Sequence, residues 1–130
     1  MMIRVVRLGS PRAKTEGIRL GTVRRPPRGV PKAEFAQRDF YDLWLPELAP
    51  SAKLISCVTG EPWTEKRWAR FAKDYRREMK NGDAARLIQL LAAFSAQTNF
   101  SVGCYCADDQ RCHRSALREL LAEAGAKFAH

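Results

Sequence analysis

Phe100-Ser101-Val102-Gly103-Cys104-Tyr105-Cys106 is a compact β-prone run, Ala107-Asp108-Asp109-Gln110-Arg111 is a polar turn, and Cys112-His113-Arg114-Ser115 leads into Ala116-Leu117-Arg118-Glu119-Leu120-Leu121-Ala122-Glu123-Ala124, closed by Gly125. The first run predicts a strand with Val102, Cys104 and Cys106 on one face, because successive side chains of a strand alternate. The last predicts a helix with Leu117, Leu120, Leu121 and Ala124 inward and Gly125 as its stop. Strand, short polar loop, helix is the unit from which a parallel sheet is assembled.

Outward from this junction the same grammar repeats. Met2 to Leu8 is rich in β-branched residues and ends at Gly9-Ser10-Pro11, so it reads as a first strand; Arg19 to Val23 is a second, weaker one. Arg24-Arg25-Pro26-Pro27-Arg28-Gly29-Val30-Pro31 holds three prolines and a glycine, which exclude helix and inner strand and leave a loop carrying three arginines. Phe40 to Leu48 is apolar and reads as irregular or as a helical turn around Pro46, and Ser51 caps a short turn through Leu54. Thr64 is placed to cap a helix in which Trp68, Phe71, Ala72, Tyr75 and Met79 recur at helical spacing up to Asn81-Gly82. Asp83 opens another whose Leu87, Ile88, Leu91 and Phe94 share a face, and Lys127 to His130 begins a last short strand. Trp44 and Trp63 are assigned to the core with Trp68, Phe71 and Tyr75. Helices between strands, with no hairpin turn joining two strands, predict an α/β fold: a small, mainly parallel sheet with helices on both faces, three-layered and Rossmann-like, as a single domain over 1–130.

The 130 residues are 45% hydrophobic and 28% charged, enough for one core and inconsistent with collagenous or disordered classes. No apolar run reaches the roughly 20 residues of a membrane-spanning helix. Arg4 and Arg7 interrupt the first residues before any signal-peptide core forms, so a cytoplasmic protein without a membrane partner is expected. Lys and Arg number 23 against 14 Asp and Glu, a net charge of +9, and residues 1–40 hold ten of the basic groups against three acids. An anionic partner is the natural inference from that asymmetry; a basic surface with no partner is the plain alternative.

Four cysteines stand at 57, 104, 106 and 112. In a chain that reads as cytoplasmic, clustered cysteines point to metal or thiol chemistry before disulfides. In an open α/β sheet the ligand crevice lies outside the carboxyl ends of the strands, where Cys104 to Ser115 falls. The field of a helix N-terminus there favours anions and would stabilise a thiolate at Cys112, with Arg111 and Arg114 adding to it and His113 supplying a titratable group. Three readings stay open. Cys104, Cys106, Cys112 and His113 offer zinc-type ligands, although the spacing is not that of paired C-x2-C knuckles. Cys112 or Cys106 could instead be a catalytic thiol. Or Cys104 and Cys106 are small hydrophobes of a buried strand while Arg114 pairs with acids. Cys57 is expected to be buried and inert.

Taken in order, Arg28-Gly29, Asp42-Leu43-Trp44, Leu48-Ala49-Pro50-Ser51, the Trp68/Phe71/Tyr75 helix and Cys104-Tyr105-Cys106 followed by Cys112-His113-Arg114 resemble the YeaO-like branch of the family of domain of unknown function 488. The resemblance spans nearly the whole chain and is most specific in its cysteine–histidine–arginine segment. It implies a bacterial or archaeal cytosolic α/β domain without an established reaction, and it groups Arg28, Cys106, Cys112, His113 and Arg114 around one pocket. Where relatives read Leu-Trp-Pro-Arg-Gly, this chain has Arg25-Pro26-Pro27-Arg28-Gly29 and so lacks that aromatic.

Two functions follow as expectations. In the first, a phosphate- or carboxylate-bearing small molecule is gripped by Arg28, Arg111 and Arg114, because guanidinium forks match such groups bidentately, and Cys112, His113 and Cys106 form the reacting set. No cofactor and no metal is assigned. In the second, the basic first third binds nucleic acid and the cysteines are structural, although no recognised nucleic-acid-binding signature is present.

Overall fold

The computed structural model of the protein describes residues 2–56, 64–105 and 112–129. Four strands, β1 (Ile3–Arg7), β2 (Ile18–Gly21), β3 (Leu43–Trp44) and β4 (Phe100–Cys104), form one sheet in the order β1-β4-β2-β3. Every neighbouring pair is parallel, with Val5 level with Val102 and Val102 level with Leu20. Parallel strands need crossovers, and the long one between β3 and β4 carries, among the described residues, three α-helices: α1 (Ala52–Ser56), α2 (Glu65–Met79) and α3 (Gly82–Phe94). A fourth, α4 (His113–Glu123), follows β4. This is the expected small α/β fold with its parallel sheet, but the four described α-helices pack on one face rather than on both, because only that face is apolar and the other carries Arg19 and Ser101, which bond to loops. Among the described residues no helix is long and apolar enough to cross a membrane.

Three helix ends obey the caps read from the sequence, whereas α3, expected to open at Asp83, begins at Gly82 after Asn81, which makes no side-chain capping bond. Thr64 Oγ1 accepts the Arg67 backbone N–H at 3.1 Å, and Ser51 Oγ accepts that of Leu54 at 3.1 Å while donating to Glu78 on α2. Gly125 takes a positive φ after α4, and the Ala126 N–H returns to the Leu121 carbonyl at 3.0 Å. The expected last strand is a single parallel bridge between Ile3 and Phe128. Leu43–Trp44, read as irregular, is instead the edge strand β3, too short to show an alternation.

The two sheet faces are covered differently. Ile3, Leu20, Phe100 and Val102 join one apolar cluster with residues from all four helices, among them Leu54, Tyr75, Ile88 and Leu117. The opposite face carries Arg19, Ser101, Gly21 and Gly103 and is met by loop residues. A Cβ on Gly21 would stand 2.3 Å from the Tyr41 ring, so only glycine lets that ring close on the strand. Arg19, fully buried, donates to both Glu16 carboxylate oxygens at 2.7 and 3.0 Å.

Three core assignments need correction. Phe94 is 47% exposed because the stripe that α3 buries runs through Ala84, Ile88, Leu91 and Ala92, and Phe94 lies about 100° from its centre. Trp44 is 41% exposed on the edge strand, its indole N–H donating to the Val23 carbonyl at 2.7 Å. Ala124 is exposed because it caps α4 rather than extending its inner face. Cys57 and Trp63 fall outside the described residues.

Candidate functional site

β4 and β2 are the two central strands, and their carboxyl ends deliver Cys104 and Thr22 side by side. The Thr22 N–H and hydroxyl both donate to the Gly103 carbonyl, at 2.9 and 3.0 Å, which locks the end of β2 to that of β4. The chain returns at Cys112, which has an extended backbone and is the N-cap of α4; its carbonyl accepts the Ser115 N–H and hydroxyl, each at 3.0 Å. His113 is therefore the first residue of the helix and points back over the strand ends.

The imidazole is oriented by the main chain. His113 Nε2 lies 2.6 Å from the Thr22 carbonyl oxygen, which can only accept, so Nε2 carries a proton and, in the neutral imidazole, Nδ1 is the acceptor. Nδ1 lies 3.7 Å from Cys112 Sγ. A backbone carbonyl orients the imidazole and the imidazole addresses the sulfur, which is the relation of orienter, base and nucleophile in thiol catalysis. The Tyr75 ring walls the imidazole, centroid to centroid 5.7 Å, and its hydroxyl donates to the Leu48 carbonyl at 2.7 Å. Burial first, then the neighbouring Cys112 and Cys104, push the Tyr75 phenol well above its ordinary value, so it is a donor at any physiological pH.

Cys104 completes the cluster. Its sulfur lies 2.7 Å from that of Cys112, and the two are not joined as a disulfide. Both thiols are buried, at 2% and 3% exposure, in a small apolar cluster with Leu8, Val23 and Tyr41. Ligand atoms of Cys104, Cys112 and His113 lie within 4.8 Å of one another, so three of the four side chains that the sequence offers to a metal are together. Cys106, the fourth, lies outside the described residues, as does Arg111.

Above the thiols lies an open groove of about 370 Å³ lined by Arg25, Pro26, Pro27, Arg28, Phe40 and Tyr105. Phe40 and Tyr105 also pack against the cysteine cluster, in edge-to-face contact at 6.3 Å, so one layer of aromatic side chains separates groove from sulfur. The Tyr105 hydroxyl donates to the Arg25 carbonyl at 3.0 Å, tying the proline-rich loop to the end of β4. Burial raises the Tyr105 phenol, with Tyr41 and Cys104 adding to the effect. The loop and the end of β4 thus meet at Tyr105. The arginines divide by depth: Arg28 is exposed in the groove, whereas Arg114 is 3% exposed in the first turn of α4. Thr22, Tyr75, Phe40 and Tyr105 are the site residues that sequence reasoning missed. A backbone carbonyl carries no residue-type signal, and Tyr75 fits the periodicity of a core position.

A family model described as the active DUF488-N3 subclade matches residues 3–125. No curated protein and no solved structure matches the chain.

Proposed function

The chain belongs to the DUF488 family, and from that premise and the geometry of the strand ends we propose that it is a thiol-dependent enzyme acting on a small molecule that bears a phosphate or carboxylate. Arg28 grips the anion in the groove over Tyr105; Arg111 and Arg114 are assigned to the same ligand from the sequence, and Arg114, 3% exposed and not part of the groove lining, reaches it only once the aromatic layer opens. Cys112 is the nucleophile and His113 Nδ1 receives its proton, with Cys106 assigned to the reacting set. A thiolate at the N-cap gains from the aligned peptide dipoles of α4. The observation that carries the reading is the 2.6 Å contact between His113 Nε2 and the Thr22 carbonyl, which turns Nδ1 toward a sulfur 3.7 Å away. Access for a substrate requires the rings of Phe40 and Tyr105 to part, and both belong to side chains at the surface side of the cluster.

Alkylation by iodoacetamide near neutral pH, mapped by mass spectrometry, tests the reading. Cys112 is expected to react faster than free cysteine, more slowly in His113→Ala, and to be protected by inorganic phosphate in the wild type but not in Arg28→Ala. Reaction of Cys112 no faster than free cysteine refutes the thiol role. The nucleic-acid alternative draws on the basic first third, but Arg12 pairs with Asp42 and Asp39, Arg19 with Glu16, and the Arg24 guanidinium bonds the Ala49 and Pro50 carbonyls. These three of the ten basic groups are committed within the fold, which weakens a continuous phosphate-binding face.

A further inference from the structure

We propose that Cys104 and Cys112 form a dithiol redox centre, oxidised to a disulfide by a hydroperoxide and restored by an external thiol. This rests on the reading of Cys112 as the reactive sulfur and adds a partner for it, since the nucleophilic mechanism leaves Cys104 unused. The sulfurs lie 2.7 Å apart, from the last residue of β4 and the N-cap of α4. A disulfide bond of about 2.05 Å is reached by an approach of about 0.7 Å. Joint ligation of a tetrahedral zinc, with Zn–S near 2.3 Å, would set the sulfurs about 3.8 Å apart and force them to separate by about 1.1 Å. The geometry therefore stands nearer to a bond between the sulfurs than to a shared metal ion.

The chemistry balances in two steps. The Cys112 thiol gives its proton to His113 Nδ1, and the thiolate attacks the terminal peroxide oxygen. An S–O bond forms, the O–O bond breaks with its electron pair on the departing oxygen, and that oxygen takes the proton back from His113 and leaves as water or an alcohol. Cys104 sulfur then attacks the Cys112 sulfenic sulfur. The S–S bond forms, the S–O bond breaks, and hydroxide leaves with the Cys104 proton as water. Two electrons pass from the thiol pair to the hydroperoxide. A small uncharged oxidant suits a pair buried beneath Phe40 and Tyr105, and the nearby second thiol intercepts the sulfenic acid before it is oxidised further.

The test treats the full-length reduced protein with stoichiometric hydrogen peroxide, then maps peptides without reduction and measures bound metal in protein purified without chelator. The expected result is a Cys104–Cys112 linked peptide, formed at least tenfold faster than cystine forms from free cysteine, and reversed by dithiothreitol. Cys104→Ser should leave Cys112 as a sulfenic acid trapped by dimedone, or further oxidised. The proposal is overturned if Cys112 pairs with Cys57 or Cys106 instead, if no disulfide forms, or if the protein carries one equivalent of zinc and its thiols respond only after chelation. Rapid alkylation of Cys112 by iodoacetamide without a disulfide to Cys104 sinks the dithiol centre alone, whereas slow alkylation sinks the reading on which it stands.

Discussion

Replacing Arg19 by methionine removes a guanidinium that no solvent reaches and leaves the Glu16 carboxylate, 2% exposed, in place. Four hydrogen bonds go at once: to Glu16 Oε2 and Oε1 at 2.7 and 3.0 Å, and to the Ser10 and Asp39 carbonyls at 2.8 and 2.7 Å. Glu16 keeps the Ser101 hydroxyl at 2.7 Å and the Ala13 N–H at 3.4 Å, which solvate less than a full charge. Breaking one side of a buried pair typically destabilises by about 3–5 kcal/mol, against a total of about 5–15 kcal/mol for a domain of this kind. Urea unfolding at pH 7 reads the difference, and with a slope of about 2 kcal/mol per molar the midpoint should fall by roughly 2 M. Adding Glu16→Gln to Arg19→Met removes the uncompensated charge and should recover a large part of the loss. A single substitution that shifts the midpoint by less than about 0.5 M, on the same slope, or a double substitution no more stable than the single, would refute the claim that this pair is desolvated and mutually dependent.

Acid should act through the same group. Burial alone would raise the Glu16 carboxyl, but hydrogen bonds from Arg19 and Ser101 outweigh it and hold the group below its ordinary value; Asp42 is lowered likewise, burial opposing and Arg12 and the Arg19 N–H prevailing. A carboxyl depressed in the folded state contributes stability that is complete above its unfolded pKa and lost as pH falls through the folded one. The thermal midpoint should therefore be level from pH 7 to about pH 5 and fall below about pH 4, whereas in Arg19→Met, where burial is no longer outweighed and raises the Glu16 carboxyl above its unfolded value, protonation relieves the buried charge, so the deficit against the wild type should shrink as pH falls through that raised value. Gly21→Ala drives a methyl against the Tyr41 ring and should destabilise by about 1–3 kcal/mol in the same urea assay. Gly29→Ala, at a positive φ with nothing within 4 Å, should lose about 1 kcal/mol through backbone strain alone. Equal losses at the two glycines would contradict the close packing at Gly21.

What the sequence disclosed and what it withheld divide along the range of the interactions. Thr64, Ser51 and Gly125 act on N–H or carbonyl groups within a few residues of themselves, so their caps were legible. The β4–α4 unit was legible because alternation and helical periodicity are local patterns. Phe94 was misassigned because the contacts of the whole stripe, not the spacing of large residues alone, choose which face of α3 turns inward. The site was half legible. Cys112 and His113 announced themselves by type and by position at a helix start, and the proline-rich loop by its composition. The closeness of Cys104 to Cys112 depends on how the connection between them closes, and the role of Thr22 depends on the pairing of β2 with β4, eighty-one residues apart at the Thr22–Gly103 bond.

That pairing gives the buried arginine a consequence beyond stability. Thr22 follows directly on β2, three residues after Arg19, and Arg19 fixes the strand to the loops that carry Glu16, Ser10 and Asp39. Ser101, level with Arg19 on β4, donates to the same carboxylate, so the network clamps the two central strands together. At the far end of that pair Thr22 holds the Gly103 carbonyl and offers its own carbonyl to His113. Any slip of β2 against β4 would withdraw the carbonyl that fixes which imidazole nitrogen carries the proton. Loosening the clamp by Arg19→Met should then slow alkylation of Cys112 even at temperatures where the variant remains folded. A variant that is destabilised by urea yet keeps wild-type Cys112 reactivity would show that the Thr22 carbonyl is positioned without the clamp, by the Gly103 bonds alone.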